Sequence, residues 1–165
     1  MKKIAISAAF ALFAALGAGT AQAGTTHTTG AEACQSVYDN TYTYGKYIFY
    51  GGGVHAYDTV DAKFFSCPMA RVNGLSTTGL SSAYVDVYDA SNGNMWCSLT
   101  VNDEYGNQLP GGAGPKYSGG GGQREISFGN IATSDPWGTY SLFCTMMPTV
   151  TAYNSYIYSY QWVER

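Results

Sequence analysis

Hydrophobic and polar residues alternate with a period of two along much of this chain, which is the pattern of half-buried β-strands. The clearest example places Ala83, Val85 and Val87 on one face of a strand, with Tyr84, Asp86 and Tyr88 on the other. Further strand patterns, bounded by Gly, Pro or Asn, cover Val37–Tyr50 in two parts, Thr59–Cys67, Met95–Val101, Glu125–Phe128, Gly138–Met146 and Ser155–Val163. Seven or eight short strands predict a single antiparallel β-sandwich, jelly-roll or immunoglobulin-like, with a closed barrel as the alternative.

The segments between these strands are predicted to be turns and loops. Asn92-Gly93 is typical of a two-residue hairpin and would pair the strand before it with Met95–Val101. Tyr105–Gly122 is expected to be a mobile loop, because seven of the twelve residues from Gly111 to Gly122 are glycine. In the last strand a simple alternation would put Tyr156, Tyr158, Tyr160 and Trp162 on one face.

The N-terminus has the three parts of a secretory signal. Lys2 and Lys3 precede an apolar run from Ile4 to Leu16, and an Ala21-Gln22-Ala23 site predicts cleavage before Gly24. We therefore expect residues 1–23 to be a signal peptide and residues 24–33 a flexible lead-in, with one β-sandwich domain over residues 34–165. The mature protein is expected in the periplasm or outside the cell, without a membrane span.

Four cysteines, Cys34, Cys67, Cys97 and Cys144, follow the signal. An even number of cysteines in an exported domain predicts two disulfides, for which three connectivities exist. Pairing Cys34 with Cys67 and Cys97 with Cys144 is preferred, because each bridge then joins strands that can be neighbours. No two cysteines have the spacing of a zinc site.

Composition excludes several classes of protein. Of the 165 residues, 45% are hydrophobic and 12% are charged, which excludes a disordered chain. Without the two lysines of the signal, six basic residues face eleven acidic ones, a formal charge of −5. Such a chain has no electrostatic basis for binding nucleic acid or anionic lipid.

Residues for catalysis are scarce. The two histidines are His27, in the expected lead-in, and His55, expected in an exposed loop after three glycines; the serine-nucleophile motif G-x-S-x-G is absent. The candidate carboxylates for a catalytic pair are Asp58, Asp61, Asp86, Asp89, Asp103 and Glu104. Oxygen ligands at closely spaced positions suggest calcium loops at Asp89, Ser91 and Asn94 and at Asp103, Glu104 and Asn107, but neither follows the EF-hand order. We predict no catalytic residue, no metal and no cofactor.

Tyrosine is the one excess that points to a function. The chain has 15 tyrosines, and exposed tyrosine rings stack on sugars and anchor protein partners. The sequence favours a non-catalytic recognition module for a glycan or protein. The alternatives are an envelope or surface-assembly component and, less favoured, a small carboxylate-dependent hydrolase. Because loops at a sandwich end often carry function, the binding residues are predicted to be Tyr84, Tyr88, Tyr105 and Tyr117, beside the glycine-rich loop.

A few short motifs follow one another in the second half of the chain. They are Cys67-Pro68, Trp96-Cys97-Ser98-Leu99, Tyr140-Ser141-Leu142-Phe143-Cys144, Met147-Pro148 and the terminal stretch from Ile157 to Glu164. Their order resembles that of small exported bacterial proteins of unknown function. The resemblance implies a disulfide-bearing β domain and carries no activity, ligand or catalytic residue.

Overall fold

The structure is a computed structural model that describes residues 26–37, 47–71, 79–91, 94–132, 138–149 and 155–165. Within these ranges the chain forms strands and one short 3-10 helix, Ala31–Ala33. In chain order the strands are β1 (Thr26–Gly30), β2 (Gln35–Ser36), β3 (Tyr47–Tyr50), β4 (Gly53–Ala56), β5 (Lys63–Met69), β6 (Leu80–Asp89), β7 (Trp96–Asn102), β8 (Gln108–Tyr117), β9 (Gly122–Phe128), β10 (Thr139–Met146) and β11 (Ser155–Glu164).

The strands form two antiparallel sheets. Sheet A has the order β3-β4-β11-β6-β9, with β1 also paired to β11, and sheet B has the order β2-β5-β10-β7-β8. The predicted all-β antiparallel sandwich is confirmed. The described residues contain more strands than the seven or eight expected, because short edge strands have no clear hydrophobic alternation.

The core lies between the sheets, where alternate side chains of both sheets meet. In β6 Ala83, Val85 and Val87 are buried, as the alternation predicted, and so are Leu80 and Asp89 at its ends. Tyr160 of β11 crosses the core, and its phenol donates a hydrogen bond to the carbonyl oxygen of Pro68 in β5, 2.8 Å away. Burial raises the pKa of Tyr160 to about 12, so this hydroxyl stays protonated and ties sheet A to sheet B.

Two disulfides join Cys34 to Cys67 and Cys97 to Cys144. This is the connectivity that the sequence favoured. Cys97 and Cys144 face each other directly on neighbouring strands β7 and β10, while the other bridge fixes the segment before β2 to β5. All four cysteines are buried, so both bridges are part of the core.

The flexible lead-in expected over residues 24–33 is wrong for its described part. Thr26–Gly30 forms β1, which pairs with β11 from Gly30 opposite Ser159 to Thr26 opposite Val163. The neighbouring strand β4 pairs only with residues 155–157 of β11. The rest of that edge is therefore open to β1, whose β-branched threonines are good strand formers.

The turn before β5 is organised by a buried ion pair. The backbone N–H groups of Val60 and Asp61 donate to Asp58, and the Lys63 ammonium lies 2.8 Å from the same carboxylate. The strand therefore begins at Lys63, not at Thr59 as expected.

Pro68 can lie within β5 because β2 pairs only with Phe65 and Ser66. At Pro68 this side of β5 is a sheet edge, where a missing N–H group breaks no hydrogen bond between strands. Of the expected strands over Val37–Tyr50, residues 38–46 lie outside the described residues.

The expected hairpin between β6 and its successor is also wrong. Residues 92 and 93 lie outside the described ranges, but β6 belongs to sheet A and β7 to sheet B. The buried carboxylate of Asp89 holds this crossing. It accepts hydrogen bonds from the N–H and hydroxyl of Ser91, the N–H of Met95 and the hydroxyl of Ser118, over 2.5–2.8 Å. A long-range side-chain network overrides the local hairpin preference.

The mobile loop expected over Tyr105–Gly122 is mostly an edge strand. Gln108–Tyr117 forms β8 beside β7, and β9 begins at Gly122. Main-chain pairing needs no side chains, so a glycine-rich segment can join an existing sheet even though it builds no core. The φ angles of Gly111, Gly119, Gly120 and Gly122 are positive, a backbone conformation that glycine adopts without strain.

Candidate functional site

Aromatic side chains gather on the outer face of sheet A. The register places Tyr156 of β11 opposite His55 of β4 on one side and Tyr88 of β6 on the other. The ring of Tyr156 lies 4.1 Å from His55, 5.7 Å from Tyr88 and 5.6 Å from Tyr158, measured between centroids. We call His55, Tyr88, Tyr156 and Tyr158 the tyrosine platform.

A β-bulge in β11 creates the platform. Ile157 pairs with Val87 and Ser159 with Asp86, so Tyr158 is an extra residue without a partner on β6. The rings of Tyr156 and Tyr158 are parallel within 3°, and Tyr158 is 40% exposed. The expectation that Tyr156, Tyr158, Tyr160 and Trp162 share one face is therefore wrong. After the bulge the alternation reverses, and Tyr160 and Trp162 are buried.

Gly53 supports the bulge from β4. A Cβ atom at this position would lie 2.7 Å from the carbonyl oxygen of Ile157 and 3.4 Å from Cα of Tyr158. Only glycine lets β4 approach this closely. His55 is thus a strand residue within the ring cluster, not the exposed loop residue that its position after three glycines suggested.

Polar groups flank the platform on the same face. Asp86 lies two residues before Tyr88 on β6 and accepts a hydrogen bond from the hydroxyl of Ser159, 2.9 Å away. Glu125 of β9 lies directly opposite Asp86, and Gln123 lies opposite Tyr88. The site therefore combines aromatic rings with carboxylate and amide groups. Carboxylates accept hydrogen bonds from hydroxyls, and an amide can both accept and donate them.

The phenol groups of the platform contribute donors as well. Partial burial raises the pKa of Tyr158, and the neighbouring phenols of Tyr156 and Tyr88 raise it further. The Tyr158 hydroxyl consequently remains protonated at neutral pH. A protonated phenol can donate one hydrogen bond and accept others, so the ring offers a polar edge beside its apolar face.

The structure separates the four tyrosines predicted to bind. Tyr84 and Tyr88 lie on the outer face of sheet A, with Tyr84 opposite Gln161 and Ser127. Tyr105 lies in the turn between β7 and β8 and is 82% exposed, while Tyr117 ends β8 opposite Trp96 in sheet B. The four do not form one site. The predicted set lacked Tyr156, Tyr158 and His55. The sequence signal for the two tyrosines was the tyrosine-rich alternation of the last strand.

Several of the acids considered for catalysis or calcium have structural roles. Asp58 pairs with Lys63, and Asp89 holds the β6–β7 crossing. Asp103 accepts from the N–H groups of Tyr105 and Asn107 and from the Asn107 amide, and that amide lowers the pKa of Asp103. In the part of the chain that the structure describes, no group of three or more His, Cys, Asp or Glu side chains is placed to hold a metal ion.

The register brings Asp86 and Glu125 together, and this pair is the one to compare with the carboxylates of a hydrolase. They lie side by side on neighbouring strands of one sheet face, so both would meet a sugar from the same side. Glycoside cleavage needs two carboxyl groups that flank the scissile bond. The same two carboxylates can accept hydrogen bonds from sugar hydroxyls.

No protein-family model matches the chain, and no curated protein matches its sequence. Solved structures do match its fold. A low affinity xylan binding module, CBM86, from Roseburia intestinalis superposes with a TM-score of 0.51 at 11% identity, over 86% of this chain and 97% of that module. The enzymatically active domain of tailspike protein 4 from bacteriophage CBA120 gives 0.51 at 10% identity, over 84% of this chain and 19% of the tailspike.

A third structure is the CBM36-1 domain of a multidomain xylanase from the hindgut metagenome of Trinervitermes trinervoides. Its TM-score is 0.47 at 15% identity, over 86% of this chain and 98% of that domain. What the chain shares with the xylan binding module is the fold, a two-sheet β-sandwich. Among the described residues, no helix is long and apolar enough to cross a membrane.

Proposed function

We propose that this chain is an exported, non-catalytic recognition module that binds a neutral polysaccharide on the tyrosine platform. The observation that carries the proposal is the row of contacting rings on an outer sheet face, bordered by Asp86, Gln123 and Glu125. Aromatic rings stack on the apolar faces of sugar rings, and the border groups meet the hydroxyls at their edges. A chain of formal charge −5 after loss of the signal favours a neutral ligand over an acidic one.

The similarity of fold to a xylan binding module makes xylan the first polysaccharide to test. A xylan without acidic substituents, a β-1,3-glucan and cello-oligosaccharides form a useful panel, because all are neutral and differ in the shape of the apolar face. The two disulfides support an exported protein, which would meet such polymers outside the cytoplasm.

The alternative of a surface-assembly component has weaker support. Assembly by strand addition needs an unpaired, regular edge strand. The long edge strand of sheet B, β8, contains Pro110 and Pro115, and each proline lacks the N–H that an added strand would need.

Removing a platform ring is expected to weaken polysaccharide binding strongly. Tyr156→Ala and Tyr158→Ala should each raise Kd about tenfold, which corresponds to ~1.4 kcal/mol. The reason is the loss of the stacking surface. Retardation of the folded variants in native gels containing soluble xylan, followed by calorimetric titration with oligosaccharides, measures the change.

Two variants control this experiment. Tyr105→Ala removes an exposed tyrosine outside the platform and should bind as the parent does. Tyr158→Phe keeps the ring and loses only the hydroxyl, so it should retain most of the affinity. Equal binding by Tyr156→Ala, Tyr158→Ala and Tyr105→Ala would contradict the proposal.

Glu125→Gln is expected to raise the stability of the protein slightly and to weaken its binding of polysaccharide. The like charges of Asp86 and Glu125 face each other across β6 and β9, which costs about 0.5 kcal/mol. The variant should therefore be slightly more stable in urea unfolding at low salt, and the gain should shrink at high salt. Binding should nevertheless weaken about threefold, because a carboxylate accepts hydroxyl hydrogen bonds more strongly than an amide does. A variant that binds as tightly as the parent would remove Glu125 from the site.

A further inference from the structure

Sheet B contains a pocket of about 290 Å³ between β7 and β8. It lies on the side of the sandwich away from the tyrosine platform. Ser98, Leu99 and Thr100 of β7 form one wall, and residues 108–114 of β8 form the other. The volume is near the lower end of the ~300–1,000 Å³ typical of ligand pockets, which suits one or two sugar units.

The pocket exists because β8 is longer than the part of β7 that it pairs with. Between Cys97 and Leu99 the partner strand advances from Lys116 to Ala113, and between Leu99 and Val101 it advances from Ala113 to Leu109. Each advance of two residues along β7 is therefore matched by three residues of β8 in the first case and by four in the second. The extra residues bulge away from the ladder and leave the space.

Three glycines of β8 line the pocket, and they differ in how closely other backbone atoms approach them. A Cβ atom at Gly112 would lie 2.5 Å from the carbonyl oxygen of Leu99, and one at Gly111 would lie 2.4 Å from that of Ala132. These two glycines hold the strand against the rest of the fold. A Cβ atom at Gly114 would have no heavy atom within 4 Å, so a side chain can be added there without a backbone clash.

The chemistry of the lining favours a neutral, hydroxyl-rich ligand. None of the ten lining residues is charged, and the polar groups are the hydroxyls of Ser98 and Thr100, the Gln108 amide and the glycine backbone. The Thr100 hydroxyl donates to the carbonyl oxygen of Ser141, so it is left to accept from a ligand.

Aromatic rings adjoin the pocket on the outer face of sheet B. Phe143 lies directly opposite Ser98, and its ring centroid is 5.8 Å from that of Trp96 and 6.0 Å from that of Phe64. A sugar unit in the pocket would therefore have an apolar surface for its neighbouring unit. This is the same combination of rings and neutral hydrogen-bonding groups that a saccharide requires.

We propose that the β7–β8 pocket is a second saccharide-binding site, which takes a terminal or single sugar unit of a neutral glycan. The proposal rests on the carbohydrate class of ligand proposed above, but it does not depend on the tyrosine platform. Because the two sites lie on opposite outer faces of the sandwich, one domain can hold two glycan chains at once. Such a domain gains avidity on a polymer that presents many equivalent units.

Amide chemical shifts of the isotope-labelled protein test the pocket directly. Xylobiose and cellobiose serve as probes, titrated to tens of millimolar because small sugars bind weakly. The amides of Ser98, Thr100 and Gly114 should shift with a saturable dependence on sugar. Gly114→Phe, which adds a bulky side chain at a lining position, should raise the Kd for this set of shifts at least tenfold, and Gln108→Ala should raise it about threefold.

Gly129→Phe is the matched control, since a Cβ atom there also has no heavy atom within 4 Å and Gly129 does not line the pocket. Pocket shifts that persist in Tyr156→Ala, persist in Gly129→Phe and vanish in Gly114→Phe support the second site. Shifts confined to the platform overturn it and leave the proposed function intact. Shifts confined to the pocket support it and overturn the platform, and the absence of shifts at both sites overturns both.

Discussion

Asp89→Ala is expected to destabilise the protein by about 3–4 kcal/mol, because it leaves several buried hydrogen-bond donors without an acceptor. The carboxylate is 1% exposed and accepts four hydrogen bonds. Three of the donors belong to Ser91 and Met95 around the β6–β7 crossing, and the fourth is the hydroxyl of Ser118 after β8. Urea unfolding followed by circular dichroism measures the loss.

Asp103→Ala is the matched control for this prediction. Asp103 also accepts several hydrogen bonds, from Tyr105 and Asn107, but the turn is exposed and water can replace the lost acceptor. Its effect should be clearly smaller than that of Asp89→Ala. Ser118→Ala removes one of the four bonds to Asp89 and should cost about 1 kcal/mol. Equal effects of the two aspartate substitutions would contradict the assigned role of Asp89.

Loss of either disulfide is expected to lower the free energy of unfolding by about 4 kcal/mol on the loop-entropy model. The bridges close segments of 33 and 47 residues, long enough for a large entropic effect on the unfolded chain. The paired variants are Cys34→Ala with Cys67→Ala and Cys97→Ala with Cys144→Ala. Loss of both bridges should leave a domain of ordinary stability close to unfolded at room temperature.

Chemical denaturation of the two paired variants measures these costs. All four cysteines are at most 2% exposed, so a reductant should attack the parent protein only through opening of the fold. Reduction in native buffer should therefore be slow and should accelerate with urea. Rapid reduction without loss of structure, or paired variants as stable as the parent, would contradict the central place of the bridges in the core.

The sequence predicts best where burial alone determines the pattern. The alternation in β6 is correct because one face packs in the core and the other faces outwards. The disulfide pairing is correct because Cys97 and Cys144 fall at buried positions of neighbouring strands.

The failures share a non-local cause. The prediction of a hairpin after β6 is wrong because Asp89 accepts hydrogen bonds from Ser91, Met95 and the distant Ser118. The loop prediction fails over β8 because an edge strand is stabilised through its backbone, which glycine provides as well as any residue.

The candidate site shows the same limit of local reasoning. Tyr88 is on the tyrosine platform as well as in the predicted set, because its strand was identified correctly. Tyr156 and Tyr158 join it only because a bulge separates them from Tyr160 and because β11 lies between β4 and β6. Neither strand order nor the position of a bulge can be deduced from the alternation within one strand.

The most direct test of glycan binding on the tyrosine platform is the observation of nuclear Overhauser effects between a bound xylo-oligosaccharide and the protein. Protons on the apolar face of a sugar ring should show contacts with the ring protons of Tyr156 and Tyr158 and should shift upfield over the aromatic faces. The same contacts should be absent with Tyr156→Ala. A saturable complex whose sugar contacts lie entirely away from Tyr88, Tyr156 and Tyr158 would contradict the account.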